Sequence, residues 1–117
     1  MNDFESIDPP AFHRELISSV ADFLGQNKTE IFRTMSDLLF TLQELVKVLS
    51  AHVDAPQDDE YQNALQAMET LGGNLRAVSH FKELVRRLKE AKDSEHRMGV
   101  IEQLMVMVKY SHDHIGR

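Results

Sequence analysis

The sequence predicts an all-α fold, a single-domain antiparallel bundle of four to five helices. Apolar residues recur every three or four positions over long stretches, and no segment alternates apolar and polar side chains as a half-buried strand does. The few prolines and most glycines lie at the boundaries of these stretches. With 117 residues, 42% of them apolar, the chain can form one core, and its lack of cysteine excludes a disulfide scaffold.

The first helix is predicted at residues 9–24. Asp8 followed by Pro9 is typical of a helix start, because proline fits the first turn without loss of a hydrogen bond. Gly25 follows the last apolar residue of the stripe and is a typical helix end.

The second helix, predicted at residues 28–52, is the longest and the expected centre of the bundle. Asn27 with Glu30 three residues later forms a capping-box pattern. Its apolar residues step by four and three like a coiled-coil seam, at Ile31, Met35, Leu38, Leu42, Leu45 and Leu49. Further apolar residues flank this seam, so the helix needs cover on several sides.

The third helix is predicted at residues 59–71, and Gly72-Gly73 is expected to end it. Asn74 is then placed to cap a fourth helix at residues 75–92.

A fifth helix is predicted at residues 95–114. No glycine or proline separates it from the fourth, so the boundary depends on capping by Asp93 or Ser94. One bent helix in place of the fourth and fifth stays an alternative.

Helices 2 and 5 carry more apolar side chains than one buried stripe needs, which favours an interaction surface. Such a patch usually marks an interface, so we expect a non-enzymatic protein–protein interaction module that forms a homodimer or binds an obligate protein partner. The candidate interface residues outside the core are Phe40, Val48, Val106 and Met107. The alternative is that helix 1 and the connections cover these side chains.

The formal charge of −6 is unevenly distributed, because residues 1–60 hold 12 acids and 4 bases and residues 61–117 hold 7 acids and 9 bases. Helix 4 carries a predicted basic stripe made of Arg76, Lys82, Arg86, Arg87 and Lys89. Phosphate oxygens suit such a stripe, so an accessory nucleic-acid-binding role is one hypothesis. The pI of about 5.4 argues against it, and pairing with an acidic helix is the alternative.

A predicted acidic face lies in and after the connection between helices 2 and 3, at Asp54, Asp58, Asp59 and Glu60. An acidic helical protein can block the basic site of a nucleic-acid enzyme or toxin by charge complementarity. An inhibitor or immunity-type role is therefore a second alternative.

The common catalytic patterns are missing from the sequence. It contains no GxxxxGK[ST], GxGxxG, GxSxG or HExxH, so we predict no enzymatic activity, no cofactor and no metal. His112 and His114 are two positions apart, which is a poor spacing for a metal pair on a helix. His80 with Glu83 is the spacing of a base and its orienting acid, although such pairs more often lie on a surface.

The expected location is the cytoplasm. The acidic and polar first residues do not resemble a secretory signal, and no stretch approaches the ~18 apolar residues of a membrane span. Residues 1–8 are predicted to be a flexible segment ahead of a helical domain at residues 9–117.

Overall fold

Five helices account for most of the residues that the computed structural model describes, which are residues 8–25, 27–74 and 79–115. Their bounds are α1 Pro9–Leu24, α2 Lys28–Ala51, α3 Asp59–Asn74, α4 Ser79–Glu90 and α5 Ser94–His114. No strand occurs in these ranges. The predicted all-α bundle is therefore confirmed. Residues 1–7 of the predicted N-terminal segment, the predicted start of helix 4 and Arg76 lie outside the described residues.

Side-chain hydrogen bonds cap two of these helices, and prolines mark the start of a third. The Asn27 side chain accepts from the backbone N–H of Glu30 at 3.1 Å and caps α2 as predicted. Asp93 likewise accepts from the N–H of His96 at 2.8 Å, so α4 and α5 are two separate helices. Asp8 occupies the cap position of α1 and makes no side-chain cap bond, and prolines, whose fixed φ suits a first turn, hold the first two positions of the helix.

Gly25 ends α1 as the sequence predicted. Its φ of 71° lies in the left-handed region that glycine adopts without steric cost, and its N–H donates to the carbonyl of Ala21 at 2.7 Å.

Two helix boundaries differ from the prediction. The helix α3 does not stop at Gly72-Gly73 but continues through both glycines to Asn74. The cap predicted from the Asn74 side chain lies outside the part of the chain that the structure describes. The helix α4, described from Ser79, ends at Glu90, two residues before the predicted end at residue 92. The glycine pair is explained by packing against α4, as described below.

Contacts between helices arrange α2, α3, α4 and α5 in a ring, and α1 packs against α2, α4 and α5. The Nε of Arg97, near the start of α5, donates at 2.9 Å to the carbonyl of Val53, just beyond α2, so α2 and α5 run antiparallel. The largest fully buried side chains come from all five helices: Phe12, Leu16, Met35, Leu39, Leu42, Leu49, Tyr61, Met68, Phe81, Leu84, Leu88 and Ile101.

The buried stripe of α2 differs from the predicted seam. Its buried residues are Ile31, Met35, Leu39, Leu42, Val46 and Leu49. Leu38 and Leu45, which were expected in the core seam, are half-buried and pack at its edge. Because α1, α3 and α5 all contact α2, its apolar face is wide, and the centre of that face lies at Leu39 and Val46.

Candidate functional site

A groove with a volume of about 310 Å³ lies between α3 and α4 in the described structure. These helices run antiparallel, since Gly72 lies against Phe81 and Glu69 pairs with Lys89. The groove floor consists of Met68, Gly72, Gly73, Phe81 and Val85, and the groove rim consists of Glu69, Lys82, Arg86 and Lys89. We call this depression the α3–α4 groove.

The two glycines of α3 shape the α3–α4 groove in different ways. A Cβ at Gly72 would lie 3.0 Å from Cε2 of Phe81, so the absent side chain lets α4 approach closely. A Cβ at Gly73 would meet nothing within 4 Å, so the absent side chain there leaves open space in the groove. The glycine pair therefore builds the groove and does not end the helix.

The rim of the α3–α4 groove carries three exposed cations, Lys82, Arg86 and Lys89, and one carboxylate, that of Glu69. These four rim residues sum to +2. Arg86 also pairs with Glu83 and Glu90, and with these two carboxylates the formal charge is 3 − 3 = 0. Lys89 and Arg86 are 51% and 54% exposed, so their charges are open to solvent and to a partner.

The predicted basic stripe is largely paired with carboxylates of the same chain. Arg86 donates to Glu83 at 2.6 Å and to Glu90 at 2.8 Å, and Lys89 reaches Glu69 on α3 at 2.8 Å. The hydrogen bond from Arg86 is the largest cause that lowers the pKa of Glu83, to about 2. The pair of Lys89 with Glu69 agrees with the alternative that helix 4 pairs with an acidic helix, whereas the pairs of Arg86 lie within α4 itself.

Arg87 does not lie on the solvent side of α4 as the predicted stripe required. Its side chain is only 19% exposed, and its Nε donates to Glu83 at 3.0 Å. Because α4 packs on α5 as well as on α3, the side chain of Arg87 is partly buried although Arg86 beside it is exposed.

The four predicted interface residues do not share one environment. Phe40 and Val106 are 62% and 56% exposed. Val48 is half-buried and packs against the core. Met107 is 1% exposed, so its expected position outside the core is wrong: α5 contacts three helices, and its buried arc is wide enough to include Met107.

The predicted acidic face is exposed at the corner where α2 ends and α3 begins. Asp54, Asp58, Asp59 and Glu60 are all exposed. His52 holds two of them, with its Nε2 2.8 Å from Glu60 and its Nδ1 3.7 Å from Asp58. These contacts fasten the connection to α3.

The catalytic hypothesis required His80 to pair with Glu83. In the structure His80 pairs instead with Glu15 of α1. Its Nδ1–H donates to Glu15 at 2.8 Å, and Ser79 Oγ donates to the same carboxylate at 2.8 Å. Burial alone would raise the pKa of Glu15, but the hydrogen bonds from His80 and Ser79 lower it. Glu15 therefore acts as an acceptor at the start of α4 and links two helices.

A second histidine links α1 to α5. His13 Nδ1 and Ser111 Oγ share a hydrogen bond of 2.5 Å, and the rings of Tyr110 and His114 stack at 3.9 Å beside it. Burial and then the charge of His114 lower the pKa of His13. A serine next to a histidine suggests a nucleophile, yet Ser111 is 0% exposed and out of reach of a substrate. The contact is structural.

Comparisons with protein-family models, with curated proteins and with solved structures find no match to this chain. Within the described ranges, no group of three or more His, Asp or Glu side chains is arranged to hold a metal ion. Nor is any helix there both long and apolar enough to span a bilayer.

Sequence reasoning missed the floor of the α3–α4 groove. Met68, Phe81 and Val85 fit the apolar spacing of a helix, but nothing in that spacing distinguishes a groove floor from a core. The signal was the adjacent pair Gly72-Gly73, which was interpreted as a helix end. Two glycines inside a helical pattern also indicate a close approach of another backbone or side chain.

Proposed function

We propose that this protein is a non-enzymatic, helical protein–protein interaction module that binds its partner at the α3–α4 groove. The observation that carries the proposal is the combination of an apolar floor, a side-chain-free position at Gly73 and solvent-exposed cations at the rim. The volume lies at the lower end of the ~300–1,000 Å³ typical of ligand pockets, so the groove suits a few side chains of a partner better than a large cofactor.

Affinity capture with groove variants tests this function. Purified protein, its Gly73→Trp variant and its Val106→Trp variant serve as baits in lysate of the source organism. Gly73→Trp fills the groove without a Cβ clash, and Val106→Trp adds similar bulk on the exposed face of α5. A partner retained by the wild type and by Val106→Trp but lost with Gly73→Trp supports the proposal once the purified pair binds in calorimetry. Equal retention by all three baits contradicts it.

Self-association through α2 and α5 is a second candidate, favoured by the exposure of Phe40 and Val106. Sedimentation velocity at micromolar concentration tests it, with Phe40→Glu and Val106→Glu combined as the variant. A dimer that this variant dissociates supports the homodimer, and a monomeric wild type rules it out.

A further inference from the structure

We infer that the occupant of the α3–α4 groove is an amphipathic helix of a protein partner, with apolar anchor residues flanked by aspartate or glutamate. The inference rests on the proposed function, because it names the chemistry of the partner for the same groove.

The spacing of the floor fits apolar anchors one helical turn apart. On α3, Gly72 follows Met68 by four residues, and on α4, Val85 follows Phe81 by four. Two antiparallel helices with floor positions one turn apart present a channel that runs along their axes. A third helix that lies in this channel inserts side chains at i and i+3 or i+4, which is the usual pattern of helix-in-groove recognition.

The rim selects negative charge on the partner. Lys82, Arg86 and Lys89 succeed one another at steps of four and three, so they line one side of α4 along the groove. Carboxylates beside the anchors of the partner helix would meet these cations. Complementary charge at the rim raises the association rate and excludes basic helices.

The ion pairs already present at the rim do not prevent this. Glu69 and Lys89, which are 42% and 51% exposed, form a pair in water that contributes little to stability. The side chain of Arg86 is 54% exposed while it pairs with Glu83 and Glu90, so these pairs too are in contact with water. A partner carboxylate can thus join or replace these contacts.

A nucleic acid fits the groove less well than an acidic helix. Phosphates would match the rim, but single-stranded binding also uses exposed aromatic faces on which bases stack. The aromatic ring of the floor, Phe81, is 2% exposed and packs against Gly72, so no base can stack on it.

Selection from a displayed peptide library tests the inference. The peptides are about 16 residues long, roughly four helical turns, with apolar residues at two positions one turn apart and all other positions random. Selection uses the wild-type protein, with counter-selection against Gly73→Trp after circular dichroism has shown that this variant folds. The expected result is enrichment of Asp and Glu next to the anchors. If Gly73→Trp does not fold, the double variant Lys82→Gln and Lys89→Gln replaces it in the counter-selection.

Charge-matched variants then measure the rim by fluorescence anisotropy of the enriched peptides. Lys82→Gln with Lys89→Gln should weaken binding at least about tenfold at ~50 mM salt, and the loss should shrink at ~500 mM salt because screening removes the rim's contribution. The control double variant Lys47→Gln and Lys109→Gln removes the same charge from exposed sites outside the groove lining and should leave binding unchanged.

The remaining outcomes overturn the inference in distinguishable ways. Groove-dependent peptides with neutral or basic flanks contradict the acidic partner and leave the proposed function intact. No groove-dependent enrichment overturns both. Binding of a fluorescent single-stranded oligonucleotide that Gly73→Trp abolishes would replace the helix with a nucleic acid, and groove-dependent self-association would identify a second copy of this chain as the occupant.

Discussion

The α2–α5 side of the molecule and the α3–α4 hairpin differ in how their apolar side chains are packed. The helices α2 and α5 each contact three other helices, and their surplus apolar residues are mostly absorbed into the core. In the described structure α3 contacts only α2 and α4, and a glycine pair opens a groove in place of side chains. The difference teaches that apolar surplus in a sequence indicates a crowded core as readily as an interface, whereas missing side chains can mark a binding surface.

The largest expected effect separates two neighbouring residues of α5. Met107→Glu should abolish folding or cost more than about 4 kcal/mol, because it places an unpaired charge in the core. Val106→Glu should change the free energy of unfolding by no more than about 0.5 kcal/mol, since Val106 lies largely in water. Urea denaturation followed by circular dichroism checks both, and similar losses for the two variants would break the distinction between core and surface on α5.

A smaller effect tests the register of α2. Leu39→Ala should cost about 2–5 kcal/mol, because it leaves a cavity at a side chain that is 0% exposed. Leu38→Ala should cost roughly 1 kcal/mol, because Leu38 is only half-buried. The same denaturation series measures the pair. A larger loss of stability for Leu38→Ala than for Leu39→Ala would mean that Leu38 lies in the core, as the predicted coiled-coil seam requires.

The glycine pair offers a matched test of the hairpin. Gly73→Ala should stabilise the protein by about 0.5–1 kcal/mol, because alanine is the better helix former and its Cβ meets open space. Gly72→Ala should gain the same helix propensity but must displace the buried ring of Phe81, so its net effect should be less favourable than that of Gly73→Ala by about 1–3 kcal/mol. Thermal melts of both variants give the comparison. Equal shifts in melting temperature would mean that Phe81 does not need the approach that Gly72 allows.

The smallest effect is a pH response of the α1–α5 contact. Because burial lowers the pKa of His13 from its ordinary 6.5, the unfolded chain binds more protons, and stability falls as the pH drops below about 6.5 towards the folded pKa. His13→Asn, which keeps a hydrogen-bonding group near Ser111, should reduce this fall between about pH 7.5 and 5.5. This pH response belongs to the α1–α5 contact, because the α3–α4 groove has no histidine among its lining residues. Urea midpoints at both pH values check the prediction, and an identical pH dependence in the variant would contradict it.

The sequence predicted the helices well because their ends depend on local chemistry. Gly25, Asn27 and Asp93 fix helix ends through their own backbone or side chain, so neighbours in the sequence suffice to find them. The register of α2 could not be derived in this way. Leu38 and Leu39 are both apolar, and only the positions of α1, α3 and α5 decide which one is fully buried.

The candidate site was less predictable than the fold, because its parts come from two helices. The close approach of Phe81 to Gly72 and the ion pair of Lys89 with Glu69 join residues nine and twenty positions apart. The basic residues of α4 were found from composition alone, but their pairing with Glu83, Glu90 and Glu69 depends on side-chain geometry. The rim could therefore be predicted from the charge pattern of the sequence, whereas the floor depends on how α3 and α4 pack together.

Methyl NMR of the protein labelled at its methionines compares the two regions most directly. Met68 lies in the floor of the α3–α4 groove, and Met105 is 38% exposed on α5. On titration with the tightest selected peptide, the Met68 methyl signal should shift and the Met105 signal should stay. A shift of Met105 with Met68 unchanged would contradict the account and return the binding surface to α2 and α5.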